Sequence, residues 1–510
     1  MDTPTDLNAR LEVLRTCSAT RLDEFARESR LQADERVPHT WLDGLKDSDK
    51  VTCWRAILMC HVVTHGQQIP REMQLQAVLA DFNGLDSLIS AGTGSGKTLP
   101  TVLKILLDNP ADKLLSLTVS PLKRLQETQE NDFNSRYGIC TVVINEDTPR
   151  HDGWWETYVF NPKTRTPGLA RHLIVTVEQI FMTPEGHLPR LGVLIRNSHF
   201  QRLVVRVTVD EAHNIYFAGS SRYGLDAFRE AWGRLDELKA ILLQTTRWCA
   251  CSATFTSLAL RSVQDKIMRS NHVFIRVTSN RPNTIYAKHQ VVGSIDDLRN
   301  YQCFLMSPYH PGLQPRVLIF VDNKRLAACI ADFLDSCLPP AMQDTGVVVH
   351  YHSKMSVKYL KGAHDSFVHP NGSCRIMVAT SAQSVGVDFP NVKIVCNVGI
   401  PSTTTDTLQR GGRAYRNSSE DALFVMFYES WVHEVNLEDY TNFDVKDLDR
   451  PRALLKATSR QRERAPFFGV KIIQEDSCTR QDFAEYLDDH SPEGLPNILH
   501  NILLRFTGAS

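Results

Sequence analysis

At 510 residues the chain is too long for one hydrophobic core, so two or three domains are expected. Its 42% hydrophobic and 23% charged residues are ordinary for a globular protein, and 57 basic against 58 acidic side chains leave a net charge of -1, which excludes a global basic field for holding a polyanion. Twelve scattered cysteines with no CxxC pair, no secretory signal and no apolar run of bilayer length argue against a disulfide-stapled secreted protein or a membrane protein.

Residues 1–66 read as helical, with Leu7, Leu11 and Leu14 at amphipathic spacing and a buried helix expected over 51–64. From about 67 to 282 short apolar runs at 87–90, 114–120, 141–144, 173–176, 203–209, 248–253 and 273–277 alternate with helix-length stretches. Runs this short and this apolar suit strands of a parallel sheet covered on both faces. The polar string SNRPN at 279–283 breaks the pattern and reads as a hinge. A second series follows at 317–321, 347–350, 376–380, 394–398 and 423–427, within a domain expected over 283–432, and a short basic, helical tail occupies 433–510. The predicted fold class is α/β, with two tandem parallel-sheet domains, a helical N-terminal extension and a short C-terminal tail.

Two strings assemble a nucleoside triphosphate site. AGTGSGKT at 91–98 follows the first apolar run and opens a helical stretch, so a strand, a glycine-rich turn and a helix N-terminus aim backbone N–H groups at phosphates. Gly94 and Gly96 permit close approach, Lys97 reaches the β and γ phosphates, and Thr98 offers a hydroxyl to magnesium. DEAH at 210–213 closes the run 203–209, which puts its carboxylates at the carboxyl end of a strand, where α/β sheets bind ligands. Asp210 is the candidate magnesium ligand, Glu211 the residue that orients or deprotonates the attacking water, and His213 a relay of nucleotide state. SAT at 252–254 and QRGGRAYR at 409–416 complete the set; Arg413 and Arg416, three apart, are expected on one helix face as guanidinium groups reaching the γ phosphate from the second domain.

The order of these strings resembles superfamily 2 helicases and, over roughly residues 65–430, their RecQ family. Further strings carry the likeness: IPREMQLQAVL at 69–79, SPLKRLQETQ at 120–129, TVEQ at 176–179, AFREAW at 227–232, VLIFVDN at 317–323, HYHSKM at 350–355 and ATSAQSVGVDFP at 379–390. The resemblance implies an adenine-reading pair, Arg71 and Gln74, and a nucleotide pocket from Gly92, Thr93, Gly94, Ser95, Gly96, Lys97, Thr98, His213, Gly386, Asp388 and Gln409. It also implies strand contacts at Ser120, Lys123, Thr176, Thr380 and Ser381, with Ser252 and Thr254 coupling the two sites. An aromatic-rich loop is represented by NIYFAGSSRYG at 214–224, whose Tyr216, Phe217 and Tyr223 are expected to stack on bases.

The implied activity is ATP-driven 3′ to 5′ movement on single-stranded or forked DNA, using ATP and magnesium, in the nucleus, with no membrane association; the sequence names no protein partner. The likeness is to a short, fungal-type form without the zinc and winged-helix modules. A lone Cys478 beyond residue 416 cannot build a tetrahedral site, so no zinc is expected and translocation is better supported than strong duplex unwinding. Two alternatives stay open: an RNA-directed DEAH-type remodelling ATPase, and a nucleic-acid-binding paralogue with little unwinding. Trp154 and Trp155 read either as a stacking platform or as packing, and Cys249 and Cys251 as buried core.

Overall fold

The structure, a computed structural model, describes residues 4–380, 391–415 and 420–491. Nine strands lie in the first half: β1 Ser87–Ser90, β2 Leu115–Val119, β3 Thr141–Ile144, β4 Phe160–Asn161, β5 Thr166–Pro167, β6 His172–Val175, β7 Val204–Asp210, β8 Arg247–Ser252 and β9 Val273–Arg276. Seven form a sheet in the order β3-β6-β2-β7-β8-β1-β9, every neighbouring pair parallel, while β4 and β5 make a small antiparallel ribbon. The second sheet runs β10 Thr284–Gln290, β15 Ala422–Tyr428, β14 Ile394–Val398, β11 Val317–Phe320, β13 Ile376–Ala379 and β12 Val348–Tyr351, again all parallel. Parallel pairing requires crossover connections, and the helices of those crossovers cover both faces, which is why the interior strands carry unbroken apolar sequence.

Each sequence-predicted run forms a strand within a residue or two of its expected limits. Three strands fall outside those runs, the two-residue β4 and β5 and the longer β10, whose TIYAKHQ is half polar because it is an edge strand paired on one side only, to β15.

The N-terminal helices are part of the first lobe's core. Leu11, Leu14, Leu22 and the fully covered Ile57 and Met59 of the helix Asp47–Val63 pack with Leu75, Val102 and Leu103. Arg15 donates to the Leu106 carbonyl at 2.8 Å, and Arg55 to that of Leu14 at 2.8 Å. The tail likewise packs onto the second lobe, where Tyr440, Phe468, Phe483 and Tyr486 join Phe424 and Met426. Among the described residues no helix is long and apolar enough to cross a membrane.

The order β7-β8-β1 sets the site. The carboxyl ends of these three adjacent strands deliver Asp210, Ser252 and Ala91 to one edge of the first sheet.

Candidate nucleotide and nucleic-acid site

The loop 91–98 leaves β1 with the Ala91 N–H still bonded to the Ser252 carbonyl at 3.1 Å, then turns through Gly94 (φ 86°) and Gly96 (φ 80°) into the helix Leu99–Leu107. Only glycine adopts these angles without strain. Gln74 braces the turn: its amide donates to the Ser95 and Gly96 carbonyls at 3.2 and 3.0 Å while its oxygen accepts from the Arg71 N–H at 2.8 Å. Both ends of this side chain are thus engaged in shaping the phosphate loop, and Arg71 stands exposed at the start of the same helix. Lys97 donates to the Ala91 and Gly92 carbonyls at 2.9 and 3.1 Å, and the Ser95 hydroxyl is buried without a partner. A Cβ on Gly96 would lie 2.5 Å from Gln74 Nε2. Gly96→Ala is expected to weaken ATP affinity about tenfold or more, since about 1 to 3 kcal/mol of backbone strain arises at such angles; nucleotide titration by fluorescence checks it.

Asp210 closes β7 and Glu211 follows in a left-handed conformation (φ 49°), an uncommon angle for this residue type. Asp210 accepts from the Glu211 N–H at 3.0 Å, with Gln129 Nε2 at 3.4 Å and Cys251 Sγ at 3.5 Å. Burial, then the neighbouring Glu211 charge, push the Asp210 carboxyl up. For Glu211 burial acts in the same sense, but the His213 contact together with Lys97 and Arg413 outweighs it and holds this carboxyl below its ordinary range. Glu211 therefore stays ionised and able to accept a hydrogen bond from water. The buried Asp210 carboxylate and the Thr98 hydroxyl at the start of the helix Leu99–Leu107 are oxygen donors of the kind that fits magnesium carried in with a triphosphate.

From Glu211 a polar chain crosses to the second lobe. Glu211 Oε2 lies 3.3 Å from His213 Nδ1, which is 2.7 Å from Ser252 Oγ, and the Thr254 N–H donates to that hydroxyl at 3.0 Å. Gln409, on the helix Thr404–Gly411, donates to His213 Nε2 at 3.1 Å and reaches Thr254 Oγ1 at 3.5 Å. The lobes also meet where a Cβ on Gly412 would stand 3.0 Å from Thr93 Oγ1.

The expectation that a helix carries Arg413 is corrected by the structure. The helix ends at Gly411, with Gly412 as its cap, so Arg413 sits in the following turn, its N–H bonded to the Arg410 carbonyl at 3.0 Å. Tyr415 then takes φ 20°, at the edge of the left-handed region that suits glycine. Arg413 is nonetheless buried and within electrostatic reach of Glu211. Arg410, by contrast, is held inside its own lobe by Asn397 at 2.7 Å and by Asp322. Arg416, Gly386, Asp388 and Ser381 lie outside the described residues.

Ser120, Thr176 and Thr380 each stand one residue past a strand and extend its ladder through their N–H groups, to Val175, Ile144 and Tyr351. All three hydroxyls are buried and without hydrogen-bond partners, from both lobes. Lys123 is paired with Glu146 and Asp147 at 2.5 and 2.7 Å, both exposed, and such surface pairs exchange readily for phosphate. Arg124 crosses between lobes to the Tyr351 hydroxyl, its guanidinium 5.3 Å from the ring centre. Arg229 of AFREAW joins two of the strings that carry the likeness, gripping Glu178 at 2.8 Å through two nitrogens and the Pro121 carbonyl at 2.7 Å.

Tyr216, Phe217 and Tyr223 come together, but around Arg222, whose guanidinium lies 4.5, 4.9 and 4.6 Å from their centres. Trp155 is core, with its indole N–H on the Pro149 carbonyl at 2.8 Å, and Trp154 packs edge-on against it. Cys249 and Cys251 are buried beside Ala91. Sequence reasoning missed Gln129, Arg222, Arg124 and the tail's Asp447. Gln129 was readable as the last residue of SPLKRLQETQ, whereas Asp447 carries no local signal.

The DEAD/DEAH box helicase family matches residues 71–262, and the helicase conserved C-terminal domain matches 301–418. The chain is 24% identical over 366 residues to the ATP-dependent DNA helicase hus2/rqh1 of Schizosaccharomyces pombe, covering 71% of this chain and 25% of that protein. It is 24% identical to the ATP-dependent DNA helicase RecQ of Haemophilus influenzae, covering 73% and 54%, and 26% identical to the ATP-dependent RNA helicase vasa of Drosophila melanogaster, covering 71% and 50%. It thus spans between a quarter and about half of these relatives. Among solved structures, the DUF1998 helicase MrfA bound to DNA and AMPPNP shares the fold with a TM-score of 0.56 at 17% identity, covering 74% of this chain and 51% of that one.

Proposed function

We propose that this chain is a RecQ-like superfamily 2 helicase, a nucleic-acid-stimulated ATPase that moves 3′ to 5′ along single-stranded DNA and acts at forked DNA in the nucleus. The observation that carries the reading is the chain of contacts from Glu211 through His213, Ser252 and Thr254 to Gln409, because it ties the water-orienting carboxylate of one lobe to the arginine-bearing segment of the other. Lys97 and the N–H groups of 92–98 would bind the phosphates, and Thr98 and Asp210 would hold a magnesium ion, whose chemistry there is to neutralise triphosphate charge. Glu211 aligns the attacking water and accepts its proton, while Arg413 faces the charge that develops on the γ phosphate. Closing and opening of the lobes would then shift a strand held by Ser120, Thr176 and Thr380, whose partnerless hydroxyls suit phosphate oxygens and carry no base information.

A second reading, action on RNA, has the 26% identity to vasa in its favour. ATP turnover measured alone, with single-stranded DNA and with polyadenylate RNA separates the two, with Lys97→Ala setting the background. The expected result is several-fold stimulation, greater with DNA. Stronger activation by RNA selects the second reading, and equal rates in every condition defeat both.

A further inference from the structure

The aromatic loop does not lie open at the surface. Its base is pinched where a Cβ on Gly219 would fall 2.3 Å from the Gly233 nitrogen, and the Arg229 N–H bonds to the Ala218 carbonyl at 2.9 Å. Its tip is held by the tail. Asp447 Oδ2 accepts from the Tyr223 hydroxyl at 2.5 Å and the Tyr216 hydroxyl at 3.2 Å, and it pairs with Arg222 at 3.3 Å. Phe443 packs edge-on against Tyr223 with 5.2 Å between centres, and the Leu455 N–H donates to the Tyr223 carbonyl at 2.7 Å.

Two residues along, Asp449 performs the matching task on the second lobe. Its carboxylate accepts from the Thr404 N–H at 2.8 Å, at the start of the helix that carries Gln409 and leads to Arg413, and from the Tyr486 hydroxyl at 2.5 Å. Tyr486 in turn accepts from the Thr405 N–H at 3.1 Å. The Asp449 N–H closes on Asp447 Oδ1 at 3.1 Å, so the two carboxylates are fixed relative to one another. Both are nearly fully buried, at 8% and 3% exposure, where a hydrogen-bonded carboxylate is rigidly placed. A three-residue segment therefore grips the aromatic loop of one lobe and the first turn of the helix that leads to Arg413 in the other.

We propose that Asp447 and Asp449 are positioning residues that transmit the state of the aromatic loop to the Gln409–Arg413 segment, so that a strand engaging the loop alters turnover in the cleft between lobes. The proposal rests on the nucleic-acid-stimulated ATPase reading above. A base that draws Tyr216 or Tyr223 out of the cluster removes the partners that hold Asp447, and the change reaches Thr404 through the two peptide bonds to Asp449 and its bond to the Thr404 N–H. The Asp447 side chain contacts the aromatic loop and not the nucleotide site, so turnover without nucleic acid does not depend on it.

The test compares Asp447→Ala, Asp447→Asn and Val445→Ala, an exposed position on the same segment, by ATP turnover with and without single-stranded oligothymidylate. Coupling between distinct sites is typically about 5- to 150-fold, so Asp447→Ala is expected to lower the stimulation ratio about fivefold or more with unchanged basal turnover. Asp447→Asn, which keeps an acceptor for Tyr223, should retain part of the ratio, and Val445→Ala all of it. Thermal melts establish that the variants are folded, with Asp447→Asn carrying the test if alanine unfolds the tail. A wild-type ratio preserved in folded Asp447→Ala or Asp447→Asn overturns the proposal, as does a rise in basal turnover, which would make the segment a restraint instead of a link. Wild-type turnover no greater than that of Lys97→Ala would instead overturn the ATPase reading itself.

Discussion

Arg413→Ala is expected to slow ATP turnover about a thousandfold or more, the range in which an arginine facing the transferred phosphate contributes, while ATP binding is retained. Arg413 is 5% exposed, follows the Gly412 that touches the phosphate-loop residue Thr93, and is one of the charges that keep Glu211 ionised. Its charge belongs to the opposite lobe from Lys97, so its removal leaves the phosphate cradle intact and withdraws stabilisation only where charge develops. Arg413→Lys is expected to recover little, since a flexible ammonium lacks the planar fork of donors. Single-turnover hydrolysis alongside nucleotide titration checks both halves. Equal losses in affinity and rate would place this residue among those that bind the ground state.

Arg206→Met is expected to produce the largest loss of stability, about 3 to 5 kcal/mol, the cost of leaving buried carboxylates without their partner. The Arg206 guanidinium, on β7, bonds Asp81 at 3.1 and 3.2 Å, Asp108 at 2.5 and 2.9 Å and Ser116 at 3.1 Å, with Arg247 a further 3.3 Å from Asp81. The cluster joins the ends of the two helices flanking β1 to the central strand. Burial alone would raise the Asp81 carboxyl, but Arg206, Lys104 and Arg247 together hold it below its ordinary value. A depressed native value means that this stabilisation is complete above the unfolded value of about 3.9 and disappears as pH falls through the native one. The wild type should therefore lose thermal stability below about pH 4, and Arg206→Met should show less of that acid dependence. At neutral pH the variant should melt roughly 10 °C or more lower, given the entropy of unfolding for a lobe of this size. A shift of one or two degrees would mean that the carboxylates find other partners.

The strands and the nucleotide site were legible because both are local. Each interior strand of a covered parallel sheet announces itself in four or five apolar residues, and a phosphate loop needs its glycines and lysine at fixed spacing whatever surrounds it. What was not legible depends on partners far apart in the chain. Asp81 and Arg206 are 125 residues apart, and each alone reads as a surface charge. Tyr216 and Tyr223 carry the composition of a base-stacking loop, yet their hydroxyls meet Asp447 some 220 to 230 residues later, in a stretch with no periodic pattern. The helix expected to run through Arg416 stops at Gly411, because the two adjacent glycines that let the second lobe approach Thr93 also weaken helical continuation.

The DEAD/DEAH box helicase match begins at residue 71, but the oily side of the helix Leu99–Leu107 is sealed in part by side chains encoded before residue 64. Homology and cooperativity thus draw different borders on this polypeptide. Cut at the start of that match, the polypeptide would bare the oily side of the phosphate-loop helix, so the helices before residue 64 and the nucleotide strand should melt as one unit.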